Sequence, residues 1–275
     1  MTPRELRRPF PVTRRGFVLL AIAALGIVGF IALDLSFNGL VPHGGGVQIA
    51  REFFGAALSP ALDYEAEFVP EGAPPFLLRA LDAVRRTLVF AASGMSLALV
   101  GGLVLGFLAS SGSGSLTIQL IARIVIAGAR SVHELLWAII FLAAFGLNTA
   151  SAVVAIAIPF AGVLAKIFSE LLDEAPDDAA YALRSAGVSR LRAFLFGRFP
   201  AAIPDMAAYS FYRFECAVRS SAVLGFFGFE TLGYYIKASF ENLHYREVWT
   251  FLYALIGVVL IFEYWSSALR KRFAA

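Results

Sequence analysis

The chain has 275 residues, of which 59% are hydrophobic and only 16% are charged. A soluble domain devotes about a quarter of its residues to charged side chains, because a hydrated surface has to cover its core. Uncharged apolar stretches of about 20 residues recur along this chain, and a helix of that length crosses the roughly 30 Å hydrocarbon layer of a membrane. The composition therefore excludes an ordinary soluble protein and predicts an all-α polytopic membrane protein.

Simple counts argue against several other classes. The 23 basic and 20 acidic residues give too small a surplus to indicate a nucleic-acid partner. A single cysteine, Cys216, cannot form a disulfide framework. The three histidines, His43, His133 and His244, are scattered without the spacing of a metal site. The sequence contains no phosphate-binding loop, HExxH or GxSxG motif.

The first third of the chain predicts an anchor and an external loop. Residues 1–15 form a basic N-terminus with five arginines, which predicts a cytoplasmic start by the positive-inside rule. The apolar run 16–33 is too long for a cleaved signal, despite a likeness to a twin-arginine signal, and predicts a retained anchor helix. Residues 34–78 hold six acidic residues and one basic residue, as expected of an external loop. A short helix in this loop either lies on the membrane surface or packs against the bundle.

The remaining chain, 79–275, reads as the core of the protein. Its predicted spans are 87–109, 116–146, 152–172, 206–227 and 249–269. The second of these is too long and too charged for one straight helix, so a break is expected near Ser131. Pro159 predicts a kink in the third, and the serines and glycines of 110–115 predict a flexible turn. Six crossings from a cytoplasmic N-terminus place the C-terminus in the cytoplasm as well.

Three charged residues, Arg213, Glu215 and Arg219, fall inside the predicted span 206–227. Each arginine there costs about 2.5–3.5 kcal/mol near the helix centre. Glu215 and Arg219 are spaced i, i+4 in the order that favours a helical pair. Arg213 is left without a partner in its own helix. Either these residues form salt bridges between helices, or all three line a translocation path, in which Arg213 and Arg219 attract an anion.

A second group of charged residues, Arg130, His133 and Glu134, lies beside the expected break. Charges are common near the cytoplasmic start of a helix, and a gate on the translocation path is the functional alternative. Gly102 and Gly106 form a small-xxx-small pair, which predicts a close contact between helices.

The strongest functional signal lies in residues 173–205, a long polar stretch between two predicted spans. It reads Tyr181-Ala-Leu-Arg-Ser-Ala-Gly187, then nine residues, then Gly197-Arg-Phe-Pro200. Apolar residues recur at helical spacing on both sides of Gly187, which permits a sharp turn. The pattern predicts two short helices outside the membrane that present side chains to another protein.

Residues 173–205 resemble the coupling motif of ABC importer permeases, and we call them the coupling segment. The motif is Glu-Ala-Ala, three residues, Gly, nine residues, Ile, any residue, Leu-Pro. The spacing from Gly187 to Pro200 is kept, whereas Tyr181, Leu183 and Gly197 differ from the motif. The flanking stretches 130–138, 166–170 and 212–225 resemble phosphonate-type ABC importer permeases in particular. The resemblance extends from about residue 87 to the C-terminus. His133 stands where that family usually has proline, and residues 229–233 replace a stretch richer in glycine.

The resemblance implies a type I ABC importer permease fold, with five core transmembrane helices plus the N-terminal anchor helix. It also implies a subunit without catalytic residues or a metal site of its own. This chain would bind no cofactor, since ATP and Mg²⁺ are bound by a partner ABC ATPase dimer. The residues implied in coupling to that ATPase are Tyr181, Ala182, Leu183, Ser185, Ala186, Gly187, Arg190 and Pro200. The other implied partners are an extracytoplasmic substrate-binding protein and a second permease subunit, identical to this chain or closely related.

The expected function is inward transport, by alternating access, of a phosphonate or related phosphorus oxyanion across a bacterial inner membrane. Another small solute is the alternative cargo within the same class. A secondary transporter driven by an ion gradient is the alternative from a different class, although such a protein has no need of an ATPase dock around Gly187. An intramembrane enzyme is a third alternative, but it would need a nucleophile or metal constellation that the sequence lacks.

Overall fold

A computed structural model describes residues 14–33, 44–66, 68–69 and 71–273 of the chain, and these residues form helices and turns without a β-strand. They divide into two units, residues 1–54 and 55–275. The first unit contains helix α1, Arg14–Ala32, and all but the end of helix α2, Gly44–Ala56. A helix thus occupies the apolar run predicted as the anchor, and another lies within residues 34–78. The arginines expected to fix the orientation at 1–13 lie outside the described residues.

The second unit contains nine α-helices in the described part of the chain. They are α3 Phe76–Ala109, α4 Leu116–Ser131, α5 Glu134–Phe145, α6 Thr149–Glu174, α7 Asp178–Ser185, α8 Arg190–Ala193, α9 Phe199–Val223, α10 Leu232–Glu241 and α11 Tyr245–Phe273. By length and composition, α3, α6 and α11 are able to cross a membrane, and α4 with α5 forms a fourth candidate. Helix α9 has 25 residues and is therefore about 37 Å long, but its charged residues make it less apolar.

The most extensive interface of the unit joins α3 to α6. Two glycines of α3 let the helices approach closely, since an added Cβ would lie 2.7 Å from Leu164 at Gly102 and 2.9 Å from Phe168 at Gly106. The predicted small-residue contact is therefore confirmed. Leu164 and Phe168 are almost fully buried in the core that this contact creates.

The predicted break near Ser131 is confirmed. Helix α4 ends at Ser131, and α5 begins at Glu134 at an angle of 89° to it. Between them His133 adopts φ −66° and ψ 147°, and its Nδ1 accepts a hydrogen bond from the Leu135 amide at 3.3 Å. A side-chain cap thus starts the new helix in a different direction. Helix α6 runs on from Thr149 to Glu174 through Pro159.

Helix α10 is an element that the sequence analysis did not predict. After α9 the chain passes through a 3₁₀ turn, Leu224–Phe227, before α10 packs back against α9 and α3. Thr87 of α3 is fully buried, and its Oγ1 accepts a hydrogen bond from the Leu232 amide at 3.0 Å. The Thr231 hydroxyl donates to the Ala222 carbonyl at 3.0 Å. The first of these bonds fixes the start of α10 against α3, and the second fixes it against the end of α9.

Candidate functional site

The charged residues of α9 are arranged largely as their spacing predicts. Arg219 Nη2 lies 2.6 Å from Glu215 Oε1, one helical turn away. Glu215 is buried, whereas about half of the Arg219 side chain is exposed. The expected intrahelical pair therefore forms between a buried carboxylate and a half-exposed guanidinium.

Arg213 has a different environment from Arg219. Its guanidinium carbon lies 4.9 Å from the centre of the Phe160 ring on α6, which is the geometry of a cation–π contact. Its Nε is buried and has no hydrogen-bond partner. Within the described part of the chain, no carboxylate forms an ion pair with Arg213. The Arg213 cation of α9 is thus held by an aromatic face rather than by an anion.

The structure brings part of the second charged group to α9. Glu134, the first residue of α5, accepts a hydrogen bond from the Ser220 hydroxyl of α9 at 2.8 Å. His133 Nε2 lies 3.5 Å from the other carboxylate oxygen of Glu134. Arg130, in the last turn of α4, lies within electrostatic reach of Tyr209 on α9, as does Arg213. The residues predicted for a path and for a gate therefore lie around one region, where the α4–α5 break meets α9.

Ser220 links the charged residues of α9 to those beside the α4–α5 break. No pattern in the sequence indicated a role for this serine. Its partner is 86 positions away in the chain, so helical spacing carries no signal for the contact. The residue falls within the stretch 212–225 that resembles the permease family. That resemblance is the one sequence signal that points to it.

The coupling segment forms two short helices on either side of Gly187, as predicted. Gly187 has φ +84°, and the amides of Gly187 and Val188 donate to the carbonyls of Arg184 and Leu183. These two bonds form a Schellman motif that ends α7. Among the predicted coupling residues, Leu183 is half-buried. The others are exposed, namely Tyr181, Ala182, Ser185, Ala186, Gly187, Arg190 and Pro200.

Large apolar side chains accompany these residues on the surface. Tyr181 is 67% exposed and Phe196 is 74% exposed. Leu191, in α8, is exposed as well. Exposed apolar side chains clustered on a segment between two membrane-crossing helices are typical of a protein–protein interface.

The turn after α3 is ordered and bonded to the coupling segment, so the prediction of a flexible turn at 110–115 is wrong. Residues Ser111–Ser113 form a 3₁₀ turn. Ser111 donates its amide to Asp173 at 2.8 Å and accepts hydrogen bonds from Arg190 at 3.3 Å and from Arg198 at 3.0 Å. Asp177 pairs with both Arg184 and Arg198 at 2.9 Å. Polar contacts thus stabilise a turn whose composition alone favours flexibility.

The glycine that replaces isoleucine in the motif has a steric reason. An added Cβ at Gly197 would lie 2.5 Å from the backbone nitrogen of Ala180 in α7. Gly197 lies in a single π-helical turn, Phe194–Arg198, between α8 and α9. Here the coupling segment packs backbone against backbone, and a larger side chain would push α7 away.

Comparisons with known proteins show the family to which the chain belongs. The family described as binding-protein-dependent transport system inner membrane component matches residues 84–274. The phosphite transport system permease protein PtxC of Stutzerimonas stutzeri is 32% identical over 191 residues, which is 68% of each chain. The phosphate-import permease protein PhnE of Mycolicibacterium smegmatis is 32% identical over 119 residues, or 43% of this chain and 22% of that one.

Solved structures of ABC transporters share the fold. A structure of an amino acid ABC transporter with histidines gives a TM-score of 0.63 at 20% identity, covering 72% of this chain and 95% of that chain. The inward-facing MetNI methionine ABC transporter gives 0.64 at 18% identity, covering 73% and 99%. The resemblance and the type I permease fold are therefore confirmed. The chain belongs to the family of binding-protein-dependent transport system inner membrane components.

Proposed function

We propose that this chain forms the path by which a phosphorus oxyanion, such as phosphite or a phosphonate, crosses the membrane inward. The assignment of this cargo rests on Arg213, a cation in α9 without an ion-pair partner among the described residues. A guanidinium group offers paired donors that suit a tetrahedral oxyanion. The names of the two relatives, which refer to phosphite and phosphate, support the same class of cargo.

Arg213 and Arg219 have complementary tasks in this proposal. Arg213 rests on an aromatic face and offers its remaining N–H groups, while the Glu215 carboxylate lowers the charge that Arg219 presents to the path. Binding by such a site is weak, as a conduit requires, because a tightly held ion would not leave. Glu134, bonded to Ser220 of α9, closes or opens the same region when the α4–α5 bend changes, and the backbone of His133 sets the direction of that bend.

The chain acts as a permease subunit, and ATP hydrolysis belongs to a separate subunit. ATP and Mg²⁺ are bound by a dimer of ABC ATPases, whose clefts receive α7 and the exposed residues around Gly187. A substrate-binding protein delivers the oxyanion from the other face, and a second permease, identical or closely related, completes the path. Both termini lie in the cytoplasm of a bacterium, and the helices cross its inner membrane. Family membership favours this ATP-driven mechanism over an ion gradient.

Reconstitution in vesicles tests the proposal. The permease, its ATPase and its binding protein are placed in proteoliposomes, and uptake of phosphite, a phosphonate, phosphate, sulfate and methionine is measured with and without internal ATP. We expect ATP-dependent uptake of at least one phosphorus oxyanion and none of methionine. Uptake without an ATPase subunit, or uptake confined to methionine or sulfate, would show that the proposal is wrong.

A further inference from the structure

A further set of charged side chains lines a cleft between α4 and α6. The cleft has a volume of about 700 Å³. The charged residues that line it are Arg123, Arg130, Lys166, Glu170 and Asp173. Three bases face two acids, so one positive charge is left over. Arg130 was predicted as part of a gate, and the other four residues have no role in the path proposed above.

The contacts within the cleft leave the two arginines available. Lys166 and Glu170 form an ion pair along α6, and Asp173 accepts the Ser111 amide at 2.8 Å. Arg123 donates its Nε to the Ala109 carbonyl at 3.3 Å. Among the residues that the structure covers, neither Arg123 nor Arg130 forms an ion pair with a carboxylate.

The charged residues of the cleft lie on one face of α4 and on one face of α6. Arg123 and Arg130 lie seven residues apart on α4, which is about two turns and about 10 Å along the same face. Lys166, Glu170 and Asp173 follow the spacing i, i+4, i+7 on α6, which also defines one face. Charged residues in a membrane-crossing helix are costly, and those that are kept usually serve a ligand or a pathway.

We propose that this cleft binds a phosphate-type oxyanion, with Arg123 and Arg130 as the principal donors. Guanidinium groups bind such ions through paired, charge-assisted hydrogen bonds. Glu170 and Asp173 weaken the site, so that the ligand exchanges. The oxyanion is either a solute in transit or the headgroup of an anionic phospholipid, since basic pockets between membrane helices also bind lipid headgroups. The solute source rests on the proposed function, whereas the lipid source does not.

Binding measurements on the permease–ATPase complex in nanodiscs test this site in two arms. In discs of neutral phosphatidylcholine, equilibrium binding of radiolabelled inorganic phosphate is measured. In phosphate-free buffer, native mass spectrometry counts the phosphatidylglycerol retained from mixed discs. We expect binding in at least one arm, and R123Q/R130Q to weaken it about tenfold or more. The first arm then identifies a solute site and the second a lipid site.

A variant of opposite effect guards against misfolding. E170Q replaces a carboxylate by an amide of nearly the same shape and raises the surplus of positive charge in the cleft. We therefore expect tighter binding in the arm that shows binding. K237Q removes a half-exposed cation from α10, outside the cleft, and serves as the matched control. Absence of binding in both arms, binding unchanged in R123Q/R130Q, or no gain in E170Q would overturn the site. Uptake assayed in separate vesicles tests the proposed function, so either proposal can fail alone.

Discussion

Replacement of Gly187 by alanine isolates the role of the turn in the coupling segment. Gly187 has φ +84°, and no heavy atom lies within 4 Å of an added Cβ. Alanine therefore causes no clash, and its cost is the left-handed backbone alone, about 1–2 kcal/mol. An energy of this size changes an equilibrium constant by about 5- to 30-fold. Strain at this position is relieved most easily by opening the Schellman motif and tilting α7.

We expect G187A to lower the uptake per ATP hydrolysed by about fivefold or more, as follows from that range. Both quantities are measured in the same proteoliposomes. The melting temperature should change little, because Gly187 is exposed and lies outside the α3–α6 core. G187N is the matched control, because asparagine tolerates the left-handed region better than alanine. The reasoning is refuted if G187A couples like the wild type, or if G187N loses as much as G187A does.

Three further substitutions test other parts of the molecule. R219E sets a second carboxylate one turn from Glu215 and should abolish uptake while co-purification with the ATPase persists; wild-type uptake would contradict it. H133P keeps the observed φ of −66°, which proline also adopts, so uptake near the wild-type level is expected, and a large loss would show that the imidazole itself acts. T87V leaves the Leu232 amide buried without its acceptor and should lower the free energy of unfolding by about 1–3 kcal/mol, and no change in thermal unfolding would refute this.

Patterns within one helix were sufficient to predict several features. Apolar runs located the long helices, the charges near Ser131 indicated the break, and the i, i+4 spacing predicted the pair of Glu215 and Arg219. The turn at Gly187 followed from its composition and its place in the motif. Each of these signals lies within a few residues of the feature that it predicts, so one sequence carries it.

Contacts between distant residues were not predictable in this way. Ser111 is 62 positions from Asp173 and 87 from Arg198, and Ser220 is 86 from Glu134. The serine- and glycine-rich turn at 110–115 has a flexible composition, and only its tertiary hydrogen bonds order it. Helix α10 is short, and its position depends on Thr87, which is 145 positions from Leu232. In each case the decisive partner is brought in by the packing of the whole bundle.

Helix α6 is the element that connects the coupling segment with the charges of α9. At its end, Asp173 holds Ser111, which in turn binds Arg190 and Arg198. Thirteen residues earlier, about 20 Å along the helix, Phe160 supports the Arg213 guanidinium. Close packing of α3 on α6 stiffens the stretch between these two points. Under the proposed function, a displacement of α7 by an ATPase would therefore reach Arg213 through the polar contacts around Ser111 and the closely packed α3–α6 pair.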